Sequence, residues 1–398
     1  MTPRERILTA IDHRESDRTP IDVGGTDCSS VHVIAYDRLR KHLDITPRPV
    51  RISGLTQLVA DVDDEIRDRL GADTASLNFA PRRWKSWKTG YGFDAEVPEL
   101  WSPETTEDGA DVINDDRGIA RKCRPKGGLY FDPVSFALAD VQSPEDLDGQ
   151  KALFNRWDWP VEYDEPTDQY ASRASALRKK TDRAIIAGWR MHYLQAGQFM
   201  RGYEQFMVDM LADELLARAI LDRLHGVYVE RLKTFLAAVG PACDIVFFTD
   251  DFGAQNGTLI SPELFRRLIK PYWAEVIGIV RKAGKKVLLH SCGSISAIIP
   301  DLIEIGVDAL NPVQITAAGM DPTYLKHEFG KDITFWGGGI STQGVLNGAD
   351  VNGVRDAVKR NVEILGKNGG FVFTAVHNIQ HDVPPENIVA AFETAMQM

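Results

Sequence analysis

Eight short apolar stretches recur along this 398-residue chain, and their rhythm restricts the fold more than any single motif does. They occupy residues 19–25, 73–79, 183–189, 244–250, 285–291, 307–313, 333–339 and 369–375. Near-continuous hydrophobicity marks strands buried on both faces, as in parallel sheets; a half-exposed strand would alternate. Helical patterns separate most of the runs. Residues 262–284 carry apolar side chains at helical spacing, with Ser261 as N-cap, Pro262 at the first helical position and Gly284 as the stop. Residues 294–306 and 353–370 read the same way and also close on glycine. Strands alternating with helices in this number predict an α/β chain, a single (β/α)8 TIM barrel over residues 1–398. An open doubly wound sheet is the competing arrangement. No GxGxxG follows the first run, so its dinucleotide-binding version loses support.

Two regions leave the pattern. Residues 80–165 are rich in Trp, Asp, Pro and Gly, with Trp84, Trp87, Trp101, Trp157 and Trp159 among them. They predict a segment inserted in the barrel, partly of β-hairpin character. Residues 191–240 predict a long helical stretch with room for more than one helix.

Barrels of this kind place their chemistry at the C-terminal ends of the strands. Those ends are rich in polar and reactive residues. The first leads to the segment 24–30, the second to Asn78 and Arg82, the third to Trp189, Arg190 and His192. Asp250 and Asp251 follow the fourth, His290 and Cys292 the fifth, Asn311 and Gln314 the sixth, a triple glycine the seventh, and His377 and Asn378 the eighth. In an extended segment residues two apart point the same way, so His290 and Cys292 can face one ion. Imidazole plus thiolate suits zinc, which needs about three protein ligands when an open position is kept for catalysis. His377 and, as a weaker amide donor, Gln314 are candidates for the third. The competing reading makes His290 a hydrogen-bonded barrel histidine and Cys292 a small packed residue.

Asp250 and Asp251 are adjacent, so only one of them is expected to face the site, as general base, hydrogen-bond acceptor or ligand. A helix-capping pair is the plainer alternative. Arg190 is the candidate to hold an anionic group. Asn78, Trp189, Asn311, Gln314 and Asn378 are the expected substrate contacts.

Composition narrows the partners. The net charge is −11, which disfavours binding to nucleic-acid phosphates or anionic lipid. Four cysteines without CxxC spacing suit a reducing cytoplasm, and the charged N-terminus has no apolar signal core. A cytoplasmic enzyme acting on a small molecule is the expectation, with a homodimer left open.

Four stretches carry a family resemblance: residues 4–25, 250–272, 287–314 and 369–392. Together they resemble the uroporphyrinogen decarboxylase-like superfamily over nearly the whole chain. Its haem-pathway branch is marked by an arginine-rich WxMRQAGRY-type segment after the first strand. Here that place reads VGGTDCSSVHVIAY, without an arginine to anchor a polycarboxylate substrate. The resemblance is closer to the corrinoid-dependent zinc methyltransferases, which carry HxC and a distant cysteine near the end of the last strand. His290 and Cys292 match HxC, while the distant place is held by His377. The resemblance implies methyl transfer between a corrinoid protein, supplied as a separate partner, and a thiol or a folate-like pterin, assisted by zinc at His290, Cys292 and His377. With one thiolate fewer, the site is less thiophilic; a pterin gains, and a site without metal stays open. The alternative is a metal-free decarboxylase or other lyase for an aromatic or heterocyclic acid, with Asp250 or Asp251 stabilising a cationic intermediate and Arg190 holding the carboxylate. A barrel that only binds a ligand is a third reading.

Overall fold

The computed structural model describes residues 1–115, 118–156, 163–189 and 191–398. Seven of the eight apolar runs become strands of one parallel sheet: Thr74–Leu77, Ala184–Gly188, Ile245–Thr249, Lys286–His290, Ala309–Asn311, Thr334–Trp336 and Phe371–Val372. Each pairs with the next in chain order. The first run is an extended segment that touches both edges of the sheet. Asp22 N–H donates to the Phe373 carbonyl at 2.9 Å, Phe373 N–H to Pro20 at 2.8 Å, and Asp73 N–H to Ile21 at 2.8 Å. The α/β architecture is therefore a strongly curled parallel sheet, compatible with a TIM-type barrel.

Period-two alternation sorts the strand residues into two layers. Ala184, Ile186, Ile245, Phe247, Leu288, Ala309, Trp336 and Val372 form an inner apolar cluster. Their chain neighbours Ile185, Val246, Phe248, Val287, Leu289, Leu310 and Phe335 belong to the outer core with the helices. Continued by one step, the same alternation turns His290 and Asn311 inward at the strand ends. The opposite end is stoppered by the helix Pro3–Ile11, whose Ile7, Ala10 and Ile11 join the inner cluster. Gly370 N–H donates to the Ala10 carbonyl and Arg4 N–H to that of Asp182, both beside strand beginnings. Only the C-terminal rim is left for chemistry.

One helical stretch follows the expected pattern and one departs from it. Residues 191–240 hold three helices, Leu194–Arg201, Tyr203–Ala212 and Glu214–Val239. The first break falls at Gly202, whose φ of +105° only glycine adopts without strain. Residues 262–284 are helical but not uniformly so: Phe265–Ile269 forms a widened π turn between Pro262–Leu264 and Lys270–Lys282. Pro271 is the reason, because it has no N–H for the Arg267 carbonyl. The Arg218 guanidinium donates to that carbonyl instead, at 3.2 Å.

Between the sheet strands Thr74–Leu77 and Ala184–Gly188 the chain forms antiparallel strands. Trp84–Lys88 pairs with Asp94–Pro98, and Glu104–Thr105, Asp111–Asn114, Ala120–Arg124 and Asp132–Pro133 pair in succession. Trp101 is buried, with Trp87 and Phe131 edge-on to it at 5.1 and 5.8 Å. Trp157 and Trp159 lie outside the described residues. Among the described residues no helix is long and apolar enough to cross a membrane.

Candidate active site

Four rim elements bring the chemistry together. His290 is the last residue of its strand and is buried. Its Nδ1–H donates to Asn311 Oδ1 at 2.6 Å, and Asn311 Nδ2 donates to the Trp336 carbonyl at 2.9 Å. The amide is thereby locked with its oxygen toward His290. The imidazole must carry its proton on Nδ1, so the Nε2 lone pair faces the rim. Cys292 Sγ lies 3.2 Å from that nitrogen and Asp251 Oδ1 lies 3.7 Å from it.

His377 is arranged the same way. Its ring meets that of His290 edge-on, with centroids 5.2 Å apart, and its Nδ1–H donates to Asn378 Oδ1. Again Nε2 is left as the free donor. Burial lowers the pKa of both rings, that of His377 to about 4 with His290 adding to the effect, so both are neutral ligands-in-waiting at pH 7. Burial also pushes the Cys292 thiol up, with Asp251 adding to it. A nearby cation would reverse that preference, since thiolate is the ligating form.

Two triples of donor atoms meet here, Asp251–His290–Cys292 and Cys28–His290–His377, each with its atoms within 4.8 Å of one another. Tetrahedral zinc at its usual bond lengths holds ligand atoms about 3.3–3.6 Å apart, close to the 3.2 and 3.7 Å around Nε2. The donor types suit a zinc-like ion, and so does the spacing around His290, the one residue that the two triples share.

The two aspartates divide as alternation requires. Asp251 faces the rim, where its Oδ1 accepts from Cys292 N–H and its Oδ2 from Gln195 Nε2, both at 2.8 Å. Asp250 is fully buried and turned toward the helices. It accepts from the backbone N–H groups of Tyr193, Leu194 and Gln195 and from Trp273 Nε1. It caps the helix Leu194–Arg201 and carries no rim chemistry, which corrects the catalytic expectation for it. Its pKa is pushed up to about 6 by burial, against the pull of His192 and those N–H groups.

Other expected contacts also take supporting places. Gln314 Oε1 accepts from Gly293 N–H and its Nε2 donates to Gln255, so it holds the turn after Cys292. Asn311 and Asn378 orient the two histidines, and Asn378 Nδ2 is a buried donor with no hydrogen-bond partner among the described residues. Asn78 donates to Asp27 at 3.4 Å beside the segment bearing Cys28. Trp189 is turned outward, into an aromatic cluster with Phe79 and Phe235. Arg190 lies outside the described residues. Arg82 pairs with Asp164 at the surface.

Cys28 and Gln195 were not marked as site residues by the sequence. Cys28 sits on the single turn Asp27–Ser29, closed by a Thr26–Ser29 capping box. The turn needs Gly25: a Cβ there would lie 2.4 Å from Asp22 Oδ1. The surface clefts around Arg48 and Lys180 and around Ala10 and Val362 contain none of these groups.

The uroporphyrinogen decarboxylase (URO-D) family model matches residues 188–398, more than half of the chain. The chain belongs to this family. The matched span holds Asp251, His290, Cys292 and His377, and leaves Cys28 outside. A solved structure of a methyltransferase from Methanosarcina mazei shares the fold of this URO-D family member. It has a TM-score of 0.62 and 15% identity, over 100% of this chain and 99% of that one. No curated protein matches it in sequence.

Proposed function

We propose that this URO-D family member is a zinc-assisted methyltransferase. It moves a methyl group between a corrinoid carried by a separate protein and a small acceptor or donor, a thiol or a folate-like pterin. The observation that carries the reading is the convergence of His290, Cys292, His377 and Asp251 at the rim, both imidazoles presenting Nε2. The fold shared with a protein named as a methyltransferase supports it. We take the curled sheet, joined through Pro20–Asp22, as a complete (β/α)8 barrel over residues 1–398, with 80–165 inserted, in a cytoplasmic protein.

His290, Cys292 and His377 would hold the ion, which when bound supplies Lewis acidity to the methyl acceptor. Asn311 and Asn378 keep the two rings in the ligating tautomer. In the transfer the acceptor's sulfur or nitrogen would form the new bond to methyl, the bond from methyl to its carrier would break with the electron pair left on the carrier, and the acceptor would lose its proton. Asp251, fixed by Gln195 and the Cys292 N–H yet partly open to the rim, is the carboxylate placed to take that proton. The inner apolar cluster below His290 keeps water from the floor of the site.

The test uses protein purified without a histidine tag. Metal content is measured, then methyl transfer from methylcobalamin to a panel of thiols and folates is followed by absorbance. About one zinc per chain and loss of transfer in His290→Ala are expected. A zinc-free protein with full transfer activity would sink the reading. Carbon dioxide release from aromatic acids, unaffected by chelator, would favour a lyase instead.

A further inference from the structure

We infer that Cys28 is a ligand of the metal ion, so that the site draws on two thiolates and two imidazoles and takes the methyl acceptor by expanding to five-coordinate. The inference rests on the metal-assisted reading above.

Cys28 reaches the site from the far end of the chain. Ile21 bridges Phe373 and Val31 bridges Ile379, which lays the turn Asp27–Ser29 beside the segment that carries His377. The Cys28 sulfur comes within 4.8 Å of ligand atoms of both His290 and His377. The turn is built to hold it there. Gly25 allows the tight approach to Asp22, Thr26 and Ser29 cap each other, and the Asp27 carboxylate is held by Ser53 at 3.0 Å.

Charge balance points the same way. A divalent ion set between two neutral imidazoles in a dry site is better balanced by two negative ligands than by one, because unpaired buried charge is costly. Cys292 provides one. Asp251 is already committed to the Cys292 N–H and to Gln195, and it faces the open rim. Cys28 lies on the inner side, packed against the apolar cluster below, and no other anionic group joins the two histidines there among the described residues. The plain alternative is that Cys28 only fills space above that cluster. In that case serine would do as well and the ion would not notice.

The two cases separate in cobalt-substituted protein. Untagged protein is stripped with chelator and titrated with Co²⁺, and thiolate-to-cobalt charge-transfer absorption is read per bound ion. Cys28→Ser and Cys292→Ser are each expected to halve it, and the double variant to abolish it. Zinc affinity, measured against a chromophoric chelator, is expected to fall at least tenfold in Cys28→Ser. Cys123→Ser serves as the control and should change neither. Full wild-type absorption and affinity in Cys28→Ser, with loss in Cys292→Ser, overturns the role of Cys28 and leaves the metal reading standing. No charge-transfer band in the wild type overturns both. Should Cys28→Ser fail to fold, iodoacetamide labelling of the wild type decides: zinc is expected to slow labelling of Cys28 at least tenfold, and an equal rate with and without zinc refutes the inference.

Discussion

Replacing Asn311 by leucine tests the arrangement of the site at a residue that is not itself a proposed ligand but orients one, His290. Asn311 joins two groups that are themselves buried: it accepts from His290 Nδ1 at 2.6 Å and donates to the Trp336 carbonyl at 2.9 Å. Leucine has similar volume and neither function. His290 then has no partner for Nδ1–H, and the proton is free to sit on Nε2, where it blocks ligation. Loss of a partner that orients a metal-bound histidine weakens metal binding about 10- to 100-fold, or about 1.4–2.7 kcal/mol. The metal-free protein loses two buried hydrogen bonds as well, about 2 kcal/mol of stability. Competition with a chromophoric chelator reads the first quantity and urea unfolding in chelator reads the second. In a His290→Ala background the same substitution should add nothing to the loss of affinity, because its effect passes through that ring. Zinc binding within threefold of wild type in Asn311→Leu, or an undiminished further loss in the His290→Ala background, would refute the reasoning.

Asp250→Ala orphans three backbone donors at the start of the helix Leu194–Arg201 and the Trp273 indole, and is expected to cost about 2–4 kcal/mol in chemical denaturation while metal content per folded molecule stays near wild type. Asp73→Ala should cost about 3–5 kcal/mol by the same measurement, because it takes the buried carboxylate from Arg18, leaves Arg6 with Asp17 alone, and removes the acceptor for Ile21 N–H. His32 is buried, and burial lowers its pKa from 6.5 to about 4. The unfolded chain therefore takes up the proton first, so this contribution is intact above pH 6.5 and is lost as pH falls toward 4, by up to about 3 kcal/mol. His32→Asn keeps an acceptor for Ile34 N–H and should remove about 1.4 kcal/mol per pH unit from the slope of stability between pH 6 and 5; an unchanged slope would exclude His32 as a source.

Much of this was legible in the chain because it depends on local periodicity. All eight apolar runs lie where the sheet or its closing segment lies, since a buried parallel strand must be apolar on both faces. Alternation then put His290 and Asn311 inward and set Asp250 and Asp251 on opposite sides, although not which of the two faced the rim. What was illegible is what depends on distant pairing. Cys28 carries no spacing signal toward residue 290; only the hydrogen bonds between the first segment and the last strand bring it near. Gln195 reaches Asp251 because Asp250 seats its helix, a relation written in three dimensions. Trp189 ends a strand but on its outer face, and Pro271 reads as a tolerated helix residue until the π turn around it is seen.

The closing segment at Pro20–Asp22 has a consequence for how the protein comes to exist in the cell. Residues 21 and 373 must meet before the sheet is continuous, and the donor set draws on positions 28, 251, 290, 292 and 377. Contacts this far apart form late and slowly. A ribosome must therefore release nearly the entire chain before the proposed metal site can assemble. Truncated or stalled products, however well their helices form, are expected to reach the cell without a complete ligand set.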